Sequence, residues 1–206
     1  MSERGVIHVI DADDAVRESL DFLLGSADFE VKTYVSAVEF LAADIGAMHG
    51  CIVTDVRMPD MSGLDLLRRL NADGVALPVI IMTGHGDIPL AVEAMKGGAF
   101  DFIEKPFDDD RLINVAQAAL KTEARQDDRR RKKSQIRALI ETLSPREHDV
   151  LDGLVAGKPN KIIAYDLGIS PRTVEVYRAN VMQKMQADSL SDLVRFALIS
   201  ADDETA

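Results

Sequence analysis

Apolar and polar positions change their rhythm once along this chain, and the change divides it. Over the first 120 residues, short apolar runs at 6–10, 31–35, 51–54, 79–83 and 100–103 alternate with stretches of helical period. Runs of this length, bounded by turn residues, suit buried strands. Between them Val16, Leu20, Leu23 and Leu24 recur at i, i+4, i+7, i+8, and Leu64, Leu67 and Leu70 at i, i+3, i+6, each marking one helix face. Start signals agree. Ser36-Ala37-Val38-Glu39 reads as a capping box, and Asp87-Ile88-Pro89 sets a cap and an early proline before Ala91, Val92 and Met95. Strands alternating with helices predict an α/β domain, a doubly wound five-stranded parallel sheet over residues 1–120.

From Lys121 the rhythm is lost. The stretch to Lys133 has no apolar face wide enough to pack on a core, so residues 121–140 read as a charged linker helix. Its basic run at 129–133 reads as solvated charge, with contact to DNA phosphates as the alternative. Residues 141–206 then carry only helical signals. Ser144-Pro145-Arg146-Glu147 combines a capping box with proline at the first helical position, and Gly157 stops that helix. Asn160 is read as the cap of a short second helix ending at Gly168. Ser170-Pro171 opens a third, reaching about Gln186, and Ser189 starts a fourth. The break at Gly168-Ile169-Ser170 has helix-turn-helix spacing, so a separate all-α, four-helix domain follows the sheet.

A length of 206 residues allows two small domains. No apolar run approaches the ~18 residues of a membrane span, which speaks against a membrane partner. The N-terminus enters a strand-like run without a secretory core, and the single Cys51 has no intrachain partner, so a cytoplasmic protein is expected. The net charge of −11 is unevenly spread: residues 1–120 hold 21 acidic and 9 basic side chains, residues 121–206 hold 14 and 15. Such asymmetry points to two modules with different partners.

In a doubly wound sheet, functional groups gather at the carboxyl ends of the strands. The first run ends at Asp11, with Asp13 and Asp14 just beyond; the third ends at Asp55, the fourth at Thr83, and Lys105 follows the fifth. Carboxylates with one lysine and one hydroxyl suit a hard divalent ion such as Mg²⁺ and a carboxylate nucleophile that accepts a phosphoryl group.

The stretches Ile52-Val53-Thr54-Asp55-Val56-Arg57-Met58-Pro59-Asp60-Met61-Ser62-Gly63, Met82-Thr83-Gly84-His85-Gly86-Asp87 and Asp101-Phe102-Ile103-Glu104-Lys105-Pro106-Phe107 resemble a response-regulator receiver, with its flavodoxin-like fold. With the second module, the chain resembles the FixJ subfamily of two-component response regulators over nearly its whole length. That resemblance implies that Asp55 is the phosphoacceptor, that Thr83 bonds a phosphoryl oxygen and that Lys105 pairs with it. It also implies that Asp11, Asp55 and the backbone carbonyl of Arg57 hold Mg²⁺, and that Thr83 and Phe102 form the activation switch. One position departs from the pattern: receivers usually carry two adjacent acids after the first strand, and here they read Asp11-Ala12, leaving Asp13 as the candidate replacement ligand.

Leu143-Ser-Pro-Arg-Glu147, Gly157-Lys-Pro-Asn-Lys161 and Ile169-Ser-Pro-Arg-Thr-Val-Glu-Val-Tyr-Arg-Ala-Asn180 resemble the LuxR/FixJ-type DNA-binding domain. Val174, Tyr177, Val181 and Met185 form its inward stripe at i, i+3, i+7, i+11. The opposite face carries Arg172, Thr173, Glu175, Val176, Arg178, Ala179 and Asn180. Arg172, Thr173, Arg178, Lys161 and Lys184 are candidate phosphate contacts, while Glu175, Val176 and Asn180 are candidate base readers. Cys51, in an apolar run, is read as a small buried residue, and His85 as a loop residue at the site mouth.

These readings predict a phosphorylation-controlled transcription regulator, an activator and not an enzyme. It takes its phosphoryl group from a sensor histidine kinase, forms a homodimer on phosphorylation, binds double-stranded DNA and works with RNA polymerase. An alternative is a regulator that acts without phosphorylation because Ala12 alters the acidic pocket. A flavodoxin-like or hydrolytic enzyme is disfavoured, since no Gly-rich phosphate loop follows the first strand and no water-activating base accompanies Asp55.

Overall fold

Each early apolar run becomes a strand because alternate side chains find a buried face on either side of one sheet. The computed structural model describes residues 5–84 and 88–201. The strands are β1 (Val6–Ile10), β2 (Glu30–Tyr34), β3 (Cys51–Asp55), β4 (Val79–Thr83) and β5 (Asp101–Glu104). All pair in parallel, in the order β2-β1-β3-β4-β5, as a doubly wound sheet requires. Relative to the expected runs, β2 starts one residue earlier and β5 one residue later.

Helices α1 (Asp14–Ser26), α2 (Ala37–Ala42), α3 (Gly63–Ala72) and α4 (Ile88–Lys96) link the strands, with a 3-10 turn at Ile45–Ala47, and α5 spans Asp109–Glu141. On one face Ile7, Val9, Cys51, Val53, Ile80, Met82 and Ile103 pack with Leu20 and Leu24 of α1 and Leu112, Ala116 and Ala119 of α5. On the other, Ile10, Ile52 and Ile81 meet Phe40 of α2, Leu64, Leu66, Leu67 and Leu70 of α3, and Ala94 of α4. Each such side chain contributes roughly 1.5–3 kcal/mol by leaving water, so burial on two sides outweighs any local preference.

The chain divides into two compact units, Met1–Gln126 and Asp127–Ala206. The second contains the last turns of α5 and helices α6 (Pro145–Val155), α7 (Asn160–Leu167), α8 (Pro171–Lys184) and α9 (Leu190–Ala201). Its core joins Ile136 and Leu143 to Val150, Leu151, Leu154, Ile163, Val174, Val181, Met185 and Leu193. Among the described residues no helix is long and apolar enough to cross a membrane.

Helix punctuation follows the sequence with two corrections. The box at Ser144 closes: Glu147 Oε2 accepts from Ser144 N at 2.8 Å while Ser144 Oγ accepts from Glu147 N. At Ser36 only half of it forms. Ser36 Oγ accepts from Glu39 N, but Glu39 reaches back to the Val35 N–H at 2.7 Å, because that donor, past the end of β2, is within reach of the same carboxylate. Asn160 is the first helical residue rather than the cap. Pro159 holds the cap position with extended backbone, and its carbonyl accepts from Ile162 and Ile163 N–H. A proline's fixed φ suits that role without a side-chain bond. Asp87, expected to cap α4, lies outside the described residues. Ser170 caps α8 as expected, and Gly168 closes α7 at φ 65°, a left-handed turn that suits a residue without Cβ. Helix α8 ends at Lys184, with Gln186 turning at φ 53°.

Candidate functional site

Strand parity brings the chemistry together. Ile7, Val9 and Asp11 alternate onto one side of the sheet, as do Cys51, Val53 and Asp55, and Ile103 followed by Lys105. Ile10 pairs with Thr54 across β1 and β3, so the next residues of each chain, Asp11 and Asp55, leave the sheet at the same edge. Gly63 lets α3 start against this loop: its N–H donates to Val56 O at 3.1 Å, and a Cβ there would collide with the Asp55 carbonyl.

Lys105 closes the arrangement. Its Nζ donates to Asp55 Oδ1 at 2.8 Å and to Asp11 Oδ2 at 3.1 Å. Asp11 is buried and Asp55 nearly so, with side chains 7% and 14% exposed. Burial works against the Lys105 ammonium, yet its bonds to Asp55 and the charges of Asp11 and Asp55 outweigh that and raise its pKa above the ordinary lysine value. The Lys105 backbone N–H donates to Thr83 O at 2.7 Å, tying this loop to the end of β4, and the Lys105–Pro106 peptide is cis. The Arg57 N–H donates to Asp55 Oδ2 at 2.7 Å, so the acceptor loop folds around that carboxylate.

Thr83 is buried at the end of β4, one residue beyond the Asp55–Met82 pair. Phe102 is partly buried on β5, against the core on the α3 and α4 side. Asp13 departs from its expected place. Its Oδ1 accepts from Ala15 N at 2.8 Å and caps α1, while its own N–H donates to Asp11 Oδ1. An aspartate directly before a helix satisfies amide donors that would otherwise be orphaned, and that engagement turns its carboxylate toward α1. Arg17, not singled out from sequence, reaches back from the first turn of α1. Its guanidinium donates to Asp11 O at 2.6 Å and pairs with Asp14. The Asp14-to-Arg17 spacing of i, i+3 was the available signal.

Asp11, Asp55 and the peptide carbonyl of Arg57 make a donor set of hard oxygens. Among the described residues no three His, Cys, Asp or Glu side chains converge as a ready metal cluster. A divalent ion that accepts few carboxylates and keeps its waters fits these residues, and Mg²⁺ is such an ion.

In the second unit the inward stripe of α8 is as expected: Val174, Val181 and Met185 are fully buried and Tyr177 partly so. Arg172, Glu175, Val176 and Ala179 are exposed, and Thr173, Arg178 and Asn180 half-buried, along its other faces. Thr173 Oγ1 shares a hydrogen bond with Ser170 Oγ at 2.8 Å. Lys161 is exposed on α7.

Lys184, expected to face DNA phosphate, is engaged within the domain. Its Nζ donates to the buried Glu147 carboxylate at 2.6 Å and to Thr142 O at 3.2 Å. That bond, with the Ser144 N–H, holds Glu147 at a pKa of about 2. A buried carboxylate needs such a partner, and the end of α8 supplies it. Sequence reasoning also passed over Tyr165 on α7, which is 84% exposed, four residues from Lys161. Cys51 is buried as expected, and burial pushes its thiol up to about 12. His85 lies outside the described residues.

The model of the response regulator receiver domain family matches residues 7–117, and that of the bacterial regulatory proteins of the luxR family matches residues 141–197. The transcriptional regulatory protein FixJ of Azorhizobium caulinodans is 58% identical over 209 residues, covering 100% of this chain and 99% of its own. Full-length FixJ from B. japonicum superposes with a TM-score of 0.59 at 53% identity, covering 95% of this chain and 97% of that one. The response regulator StyR gives a TM-score of 0.85 at 41% identity over 95% and 98%.

Proposed function

We propose a phosphoryl-transfer mechanism for this chain, which belongs to the FixJ-like two-component response regulators, transcriptional regulators that join a receiver to a LuxR-type DNA-binding domain. The receiver implies a sensor kinase as phosphodonor and the second domain implies binding to DNA. In the proposed step a carboxylate oxygen of Asp55 bonds to phosphorus as the bond from phosphorus to the kinase's imidazole nitrogen breaks. Lys105 turns from its carboxylate partners to the incoming phosphoryl oxygens, and Thr83 donates its hydroxyl to another. Such transfers need position and charge neutralisation more than covalent help. Mg²⁺, the ion receivers generally use, would be held by Asp11, Asp55 and the Arg57 carbonyl, and when bound it neutralises phosphoryl charge.

The observation that carries this reading is Lys105 suspended between Asp11 and Asp55, 2.8 Å from the acceptor. Because that cation and the acceptor remain paired, a regulator that acts without phosphorylation is not favoured.

Downstream, movement of Thr83 toward the phosphoryl group frees space that Phe102 enters. Helix α4 then pairs with a second copy through Ile88, Val92 and Met95, exposed and spaced i, i+4, i+7. The paired α8 helices read two half-sites, from which the dimer engages RNA polymerase as an activator. The test is incubation with acetyl phosphate and Mg²⁺, followed by mass spectrometry and selection of DNA from a randomised pool. A phosphoryl adduct on the parent, absent from Asp55→Asn, with tighter DNA binding by the phosphorylated form, is expected. Equal incorporation in the Asn variant overturns the assignment of Asp55.

A further inference from the structure

The helix-turn-helix domain is poorly charged for its task. Residues 141–206 hold 11 acidic and 7 basic side chains, a net of −4, although DNA affinity rests largely on cations that displace phosphate counterions. The missing charge lies immediately before the domain: residues 129–137 of α5 carry six basic side chains and no acidic one. This segment belongs to the same compact unit as the helix-turn-helix, and Ile136, Leu139 and Ile140 anchor it to that unit's core.

Its helical phase is informative. Arg129 and Lys132 precede Ile136 by seven and four residues, so both stand on the face of α5 that, one turn later, packs on the domain. The apolar stripe of Ile136, Leu139 and Ile140 thus continues backward as a basic one, beyond the edge of the core. Residues 129, 130 and 132 are exposed. Arg131, on the opposite side, pairs with Asp127 at 2.7 Å. A solvated linker has no need to place cations on its domain-facing side.

We infer that Arg129 and Lys132, with Arg130 at their flank, form a second DNA-contacting surface that grips backbone phosphates outside the bases addressed by α8. This inference rests on the DNA-binding reading above and adds a surface to it. The surface carries affinity and register, not sequence preference, because phosphates are the same at every base pair.

The test measures affinity against salt concentration for the full-length phosphorylated protein on one duplex selected from a randomised pool, in two lengths. The short form ends at the bases that the selection fixes; the long form adds ten base pairs on each side. Arg129→Gln with Lys132→Gln keeps good helix formers in α5 and so preserves the fold. On the long duplex the double variant should show a log–log salt slope shallower by about 1.8, that is about 0.9 for each lost phosphate contact. On the short duplex variant and parent should match. Unchanged slopes on both lengths, or equal losses on both, overturn the surface while leaving α8 as reader. A parent that binds neither duplex overturns the DNA-binding reading itself.

Discussion

Lys105 Nζ stands 2.8 Å from Asp55 Oδ1, so the acceptor already holds a cation against it. The lysine answers two needs: it offsets the repulsion between Asp55 and Asp11, and it is in reach of a phosphoryl group arriving at Asp55. Lys105→Gln should therefore slow phosphorylation by acetyl phosphate about 100-fold, the order seen when one preorganised donor is lost. A rate equal to the parent's in a time course of adduct formation would remove Lys105 from the chemistry.

Ala12 leaves the acidic pocket one carboxylate short, and Asp13 is engaged as the cap of α1. Ala12→Asp should raise Mg²⁺ affinity, by about tenfold for one added hard-oxygen ligand, and quicken phosphorylation with it. Isothermal titration with Mg²⁺ reads the first effect. Equal affinities in the two proteins would mean that Asp13 leaves its cap and already serves the ion.

Glu147 links α6 to α8 through Lys184, and its pKa lies at about 2 against an ordinary 4.5. Between those values the native chain binds fewer protons than the unfolded chain, so stability falls as pH drops. The contribution is complete above pH 4.5 and is lost as pH falls toward 2. Lys184→Met should destabilise the second unit by about 1–3 kcal/mol near neutral pH, because a buried carboxylate loses its strongest partner. The variant should also lose stability less steeply through that acid range. Hydrogen exchange of α6 and α8 amides measures both, and parallel pH curves would rule out the pair as their cause.

Ile88, Val92 and Met95 leave an apolar stripe on α4. Val92→Glu should keep the phosphorylated protein monomeric, because a charge in the centre of a small apolar contact would be buried unpaired. Sedimentation velocity of the acetyl-phosphate-treated protein decides this, and a dimer unchanged by Val92→Glu moves the interface elsewhere.

On α8, Arg178→Ala should weaken binding across DNA sequences and flatten the salt dependence by about one ion, whereas Glu175→Ala should change the preferred sequence more than the affinity. Repeating the pool selection with each variant separates the two effects. A uniform loss for Glu175→Ala counts against base reading.

The sequence alone determined the order of elements, since period-2 burial and helical stripes depend on near neighbours: the β1 and β4 runs matched to the residue, as did the caps at Ser144 and Ser170. It also supplied the candidates Asp55, Thr83 and Lys105, each located at or just after a strand end. Tertiary structure decided which of them meet. Lys105 joins Asp11 from 94 residues away, through the parallel register of β1, β3 and β4, which no local pattern encodes. The same holds where expectation and structure part. Lys184 reads as an exposed basic residue on a helix, and only packing of α8 against α6 reveals a buried carboxylate within its reach. Asp13 looks like a spare ligand until the start of α1 engages its oxygen. A side chain's type fixes what it can bond to; which partner it takes depends on the competition among every group the fold brings near it.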